Sequence, residues 1–121
     1  MRNWEINKMF NELNDEALSK SETRLPVVVL AAKAKNVRVL LPYAQEYEQA
    51  RANLIMQYGT VDDSGNYKVE NTNKEFIAEF EKLNNMDHPE LNDFIMKVKL
   101  EELPKEMLPR EFELLLGMVE L

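Results

Sequence analysis

Residues 26–59 read PVVVLAAKAKNVRVLLPYAQEYEQARANLIMQYG, and the way this stretch folds decides the architecture. Pro26 fits the first turn of a helix, where its missing N–H costs little. From there Leu30, Ala34, Val37, Leu41, Ala44, Tyr47, Arg51, Leu54 or Ile55, and Tyr58 recur in steps of mostly three and four, a heptad-like seam. Gly59 follows the last of them and is placed to close the helix in a left-handed conformation. A helix from Pro26 to Tyr58 is about 50 Å long. Two features oppose it. Val27–Val28–Val29 and Val37–Arg38–Val39 are rich in β-branched residues, which suit strands. Pro42 removes the bond to the Arg38 carbonyl and predicts a kink or a break. Ala31, Ala32 and Ala34 are strong helix formers, and the seam keeps its phase across Pro42. The reading is one long helix, with its continuity at Pro42 left open.

Working outward from it, Ile6, Met9, Phe10, Leu13 and Ala17 share one helical stripe, which predicts a first helix fading near Leu18. Asn3 is its expected N-cap, and Glu5 suits the positive end of the dipole. Ser19 to Thr23 is a polar loop. The first helix, about 22 Å long, covers less than half of the long one, so later elements or another chain must cover the rest. Beyond Gly59, Thr60–Val61 and Tyr67–Lys68–Val69 flank an acidic turn in which Gly65 supplies a positive φ, a hairpin signal. Asn73 then caps a helix with Phe76, Ile77, Phe80 and Leu83 on its apolar face. Phe94 to Leu100 alternates, with Phe94, Met96, Val98 and Leu100 on one side, and is expected to pair with the hairpin as a three-stranded sheet. A last helix starts near Pro109 and carries Phe112, Leu115, Leu116 and Val119. The expected fold is a single α+β, mainly α domain over 1–121. An antiparallel helical hairpin (1–58) precedes a β-hairpin or small sheet and two short C-terminal helices (59–121).

The 121 residues contain no cysteine, one histidine and three scattered glycines. That excludes disulfide scaffolds, thiolate or multi-histidine metal centres and a glycine-rich phosphate loop. The longest apolar run, Val27 to Ala32, is far short of a membrane helix, and the first residues lack the apolar core of a signal peptide. The formal net charge of -7 is uneven. Residues 1–25 carry -1, residues 26–58 carry +2, and residues 59–121 carry -8. The acidic half disfavours direct nucleic-acid binding. His88 has no His or Cys partner and is read as a surface loop histidine. Asp62–Asn66 has Tyr67 and Asn73 where a calcium loop needs Gly and Glu. Among 22 carboxylates adjacent pairs arise by chance, and solvated faces explain them. No catalytic residue, cofactor or metal ligand is assigned. The expectation is a non-enzymatic protein working through contacts. Its candidate interaction surface is Tyr43, Tyr47, Arg51, Leu54, Tyr58, Phe112 and Leu116. A second candidate surface is acidic: Glu101, Glu102, Glu106, Glu111 and Glu113.

Several features combine into a resemblance. Leu13–Asn14 ends a short first helix, and Leu25–Pro26–Val27 opens a long one that continues through Ala34–Lys35–Asn36–Val37. Tyr47–Glu48–Gln49–Ala50–Arg51–Ala52–Asn53–Leu54–Ile55, then Gln57–Tyr58–Gly59, precede an acidic turn with Asp63 and Gly65, and then Glu75–Phe76. Together they resemble a family of small, functionally uncharacterised proteins of tailed bacteriophages and prophages, whose genes lie near tail and lysis genes. The match is best over residues 1–80 and looser over 109–121, and the polar loop after the first helix is longer here. The resemblance implies a protein of the bacterial host cytoplasm, associated with the virion or with tail assembly, whose partner is itself or a phage structural protein. The alternative is a counter-defence or host-takeover inhibitor that presents its acidic half to a basic cleft of a host defence protein. Membrane and cofactor have no part in either reading, and homo-oligomerisation suits the first.

Overall fold

The computed structural model describes residues 1–121. Helix α1 (Asn3–Leu13) is followed by a four-residue helix α2 (Glu16–Ser19), whose N-cap Asp15 accepts the Ala17 N–H at 2.9 Å. The expected single helix to Leu18 is therefore split, because Asp15 caps a new start instead of continuing the old one. Helix α3 (Val27–Tyr58) then runs for 32 residues, straight through Pro42 in hydrogen-bonding terms, and spans about 48 Å. Pro42 lies inside the helix on an exposed position, where it forgoes one helix bond and its ring crowds the Arg38 carbonyl, and the helix continues past it. Two-residue strands β1 (Thr60–Val61) and β2 (Tyr67–Lys68) form the hairpin. Helix α4 (Lys74–Asn85) begins where Asn73 accepts the Phe76 N–H at 3.0 Å, the expected cap. A 3-10 turn (Pro89–Asp93), strand β3 (Val98–Lys99), helix α5 (Pro109–Leu115) and strand β4 (Val119–Glu120) complete the chain. The molecule is α+β and mainly α, with α1 and α3 as its helical pair.

The long helix buries Val29, Ala32, Asn36, Leu40, Ala44 and Tyr47. This line differs from the heptad seam in its first half. A 3.5-residue repeat drifts about 20° per heptad around a straight helix. A seam that meets the core at Ala44 and Tyr47 has therefore swung into solvent at Leu30, Ala34 and Leu41, all of which are exposed. The core joins Ile6, Met9 and Leu13 of α1, Leu18 of α2 and Val29, Ala32 and Leu40 of α3 to Leu91, Val98, Leu103, Leu114, Leu115, Met118 and Val119.

The three-stranded sheet does not form. The hairpin is a sheet of two, and β3 pairs in parallel with β4 (Val98 with Val119, Lys99 with Glu120). Val119 is thus in a strand and not in the last helix, which ends in a 3-10 turn at Leu116–Met118. Residues 94–100 fail as a strand because a side chain takes the place of a neighbouring strand. Fully buried Asn36 donates Nδ2–H to the Met96 carbonyl at 2.9 Å and accepts the Met96 N–H at 2.7 Å. Pinned at that one residue, the segment leaves Phe94, Met96 and Leu100 exposed and buries only Val98.

Two glycines are required by geometry. Gly65 has φ 82° in the hairpin turn, where Asp62 Oδ1 accepts the Ser64 and Asn66 N–H groups, so the acidic turn is closed on its own Asp62 carboxylate. Gly59 is extended (φ -90°, ψ 165°), not left-handed as expected. A Cβ there would run into the Ile55 carbonyl and press on the Lys68 carbonyl at 3.1 Å, so close approach of helix end and hairpin is what demands glycine.

Replacing Asn36 with Ala leaves the part-buried Met96 N–H and carbonyl without their partner, at about 1–3 kcal/mol. Urea unfolding should show that loss, whereas Asn53→Ala, an exposed amide on the same helix, should stay within about 0.5 kcal/mol of the wild type.

Candidate contact surface

Between Tyr47 and Leu91 no residue is buried. The C-terminal part of α3, the hairpin and α4 therefore form an arm that projects from the core. Its own apolar cluster is half-buried: Tyr58 meets Phe76 edge-on (ring centroids 6.2 Å apart), and Phe76 stacks on Phe80 at 5.6 Å. On its outside lie Met56, Val61, Tyr67 and Ile77, with Val61 57% exposed. The consequence is visible in area. A compact chain of 14.2 kDa has about 6,800 Å² of accessible surface, and this one has 8385 Å².

Polar contacts fix the arm at its base. Asn3, expected as a cap, is buried inside α1, while Arg2 takes the cap position and donates its backbone N–H to Glu5 at 3.0 Å. Asn3 Nδ2 donates to the Leu83 carbonyl at 2.8 Å, and its Oδ1 accepts from His88 Nε2 at 3.0 Å. His88 is not a free surface histidine: Tyr43 packs edge-on against its ring at 5.0 Å. The Tyr43 hydroxyl donates to Glu90 at 3.1 Å, and the Tyr47 hydroxyl donates to Asn84 Oδ1. Asn3 and Tyr47 thus bolt α1 and α3 to the end of α4, and Tyr43 ties α3 to the segment that follows it. The hydrogen bond to Glu90, then desolvation, raises the Tyr43 pKa above the ordinary 10.0; for Tyr47 burial raises it, partly opposed by the Arg51 charge.

The seven residues expected as one interaction surface are dispersed. Tyr47 is buried, and Tyr43, Leu54 and Tyr58 are half-buried on the arm's inner side, so they hold the arm and do not present it. Arg51 is exposed and pairs with Glu48 at 3.5 Å. Phe112 of α5 and Leu116 of the 3-10 turn after it line two separate grooves. Leu116 shares a groove of about 480 Å³ with Trp4, Met9, Ile95 and Gly117, rimmed by Lys8, Glu12 and Glu113. Phe112 lines the other with Leu100, Leu103, Pro104, Met107 and Pro109. The outside of the arm was missed in the sequence: Val61 and Tyr67 are single apolar residues in polar surroundings, and Ile77, expected on the apolar face of its helix, is exposed.

The acidic surface also changes. Glu101, Glu106 and Glu113 are exposed, and Glu102 is half-buried with Oε2 enclosed and without a hydrogen-bond partner. Glu111 is internal, 3% exposed. It accepts from Ser21 Oγ, from Thr23 Oγ1 at 3.1 Å and from the Leu108 N–H at 2.9 Å, and so ties the loop before α3 to the start of α5. No group of three or more His, Asp or Glu side chains is placed to hold a metal ion, and no helix is long and apolar enough to cross a membrane. Compared with protein-family models, with curated proteins and with solved structures, the chain gives no match.

Because the native state keeps the Tyr43 and Tyr47 protons longer than the unfolded chain does, stability is whole below pH 10.0 and falls as pH rises through the native values. Tyr47→Phe should cost about 1 kcal/mol at neutral pH through the lost bond to Asn84. Its deficit should shrink above pH 10 in unfolding curves taken across that range.

Proposed function

We propose that this chain is a non-enzymatic phage or prophage protein that acts by protein–protein contact in virion or tail morphogenesis, with the arm as its recognition element. The observation that carries the reading is the run from Glu48 to Glu90 without a buried residue. An arm that encloses nothing adds little to the chain's own stability, yet it holds Met56, Val61, Tyr67 and Ile77 in solvent, where a partner would bury them. The resemblance to small tailed-phage proteins supplies the setting: a partner among the phage structural proteins, in the host cytoplasm or on the virion. The counter-defence reading ranks second, since its acidic face loses Glu111 to the interior and part of Glu102.

The test is co-purification from phage-producing cells, with Val61→Asp, Tyr67→Lys and Ile77→Asp combined in one variant, so that the cross-strand partners 61 and 67 carry opposite charges. All three are surface positions, so circular dichroism and thermal unfolding should stay close to wild type. The wild type should retain a phage structural protein, and the triple variant should lose at least about tenfold of it. Retention of no structural protein by the wild type, or equal retention by both, ends this reading.

A further inference from the structure

The groove between α1 and the C-terminal segment lies apart from the arm, and its two ends differ in chemistry. A Cβ on Gly117 would stand 3.5 Å from Met9 Cγ, and Arg110 reaches both Asp15 at 3.3 Å and Glu113 at 3.9 Å. The C-terminal segment therefore runs antiparallel to α1, which sets Glu113 at the end of the groove where Glu12 stands. Trp4 lies eight residues before Glu12 on the same helix, about 12 Å away. The Trp4 end is apolar: the chain's one tryptophan is 47% exposed and shares the lining with Met9 and Ile95. The other end is acidic, because Glu12, Asp15 and Glu113 bring three carboxylates against the single guanidinium of Arg110. Glu12 has no ion pair within the chain. Cations also line the groove, away from that end. Lys97 donates to the Gly117 carbonyl at 2.8 Å, the Met1 amino group pairs with Asp87 at 3.2 Å, and Lys8 stands midway along α1.

We propose that this groove binds an extended segment of a partner protein carrying an apolar residue and, four positions away, an arginine. The apolar side chain covers Trp4, and the guanidinium enters between Glu12 and Glu113. In an extended chain, residues four apart point to the same side and stand about 13 Å from each other, which matches the spacing of the two ends. The indole offers a large apolar area for a side chain to cover. A guanidinium suits the acidic end because its planar fork donates to two carboxylates at once, whereas an acidic side chain would be repelled there. The volume of about 480 Å³ is that of a ligand-sized site.

The probe is an acetylated and amidated pentapeptide of leucine, serine, alanine, serine and arginine in that order, which has no ring to mask Trp4 emission. Titrated into the full chain, it should shift that emission to the blue and saturate with a dissociation constant below about 1 mM. The same peptide ending in glutamate should bind at least about tenfold more weakly. Two exposed positions test the charge of the groove in opposite directions. Glu113→Lys should weaken binding at least about tenfold, and Lys8→Glu should tighten it about threefold. Circular dichroism of both variants should match the wild type. The arm variant described above should bind the peptide as the wild type does, so this inference and the role of the arm fail separately. A dissociation constant above about 1 mM overturns the proposal. So does an equal response to the two peptides, or an affinity that neither charge variant moves. Trp4 emission that changes with the concentration of the chain alone would put a second copy in the groove and overturn it too.

Discussion

The position of everything after Leu91 depends on one side-chain amide. Asn36 sits on the core line of α3 between Ala32 and Leu40, where a purely apolar line would carry another aliphatic residue. Its amide offers one donor and one acceptor in the plane that an adjacent strand would offer, and Met96 takes both. A buried polar group satisfied in this way fixes geometry more narrowly than apolar packing does. Apolar surfaces can slide past each other by a residue at modest cost, but a two-point hydrogen bond cannot. That pin sets where Val98 enters the core and thus the register in which β3 meets β4. It also brings Leu114, Leu115 and Met118 under α1.

The two ends of α3 are held by different physics. Near its start the helix is packed by aliphatic side chains, with Glu111 clamping the preceding loop through Ser21, Thr23 and the Leu108 N–H. Beyond Tyr47 the restraints are polar bonds and edge-on rings at partly solvated positions. Such contacts are individually modest, so the arm opens at lower free energy than the core. A recognition element that adjusts to its partner belongs at that end of the stability range, while the scaffold that presents it belongs at the other.

How much of this was legible in the sequence follows from which interactions are local. The long helix, the Asn73 cap and the turn around Gly65 depend on neighbours in sequence and read directly. The three-stranded sheet was misread because the partner of residues 94–97 is one amide sixty residues upstream, and Asn36 in a run of helix formers gives no hint of it. Asn3 looked like a cap because caps are where asparagine usually helps, yet its side chain is used across the fold on Leu83 and His88. Glu111 looked like a surface charge because glutamate usually is one. The seam failed in its first half for a geometric reason, the drift of a 3.5 repeat on a straight helix. Of the residues expected as a surface, the α3 tyrosines are buried or half-buried, because what covers that side of the helix is set by long-range polar bonds to residues 83–90.

The split of the core between the two ends of the chain has a consequence during synthesis. Residues 91–119 supply seven of the fourteen side chains in the core cluster, and they are translated after the other seven. When α3 has left the ribosome its buried line has only α1 and α2 to cover it, and the arm encloses nothing of its own. At ordinary elongation rates of 5–20 residues per second, residues 91–119 take about 1.5–6 s to make. Through that interval the future interior of α3, around Asn36 and Leu40, stands without the segment that covers it in the finished fold.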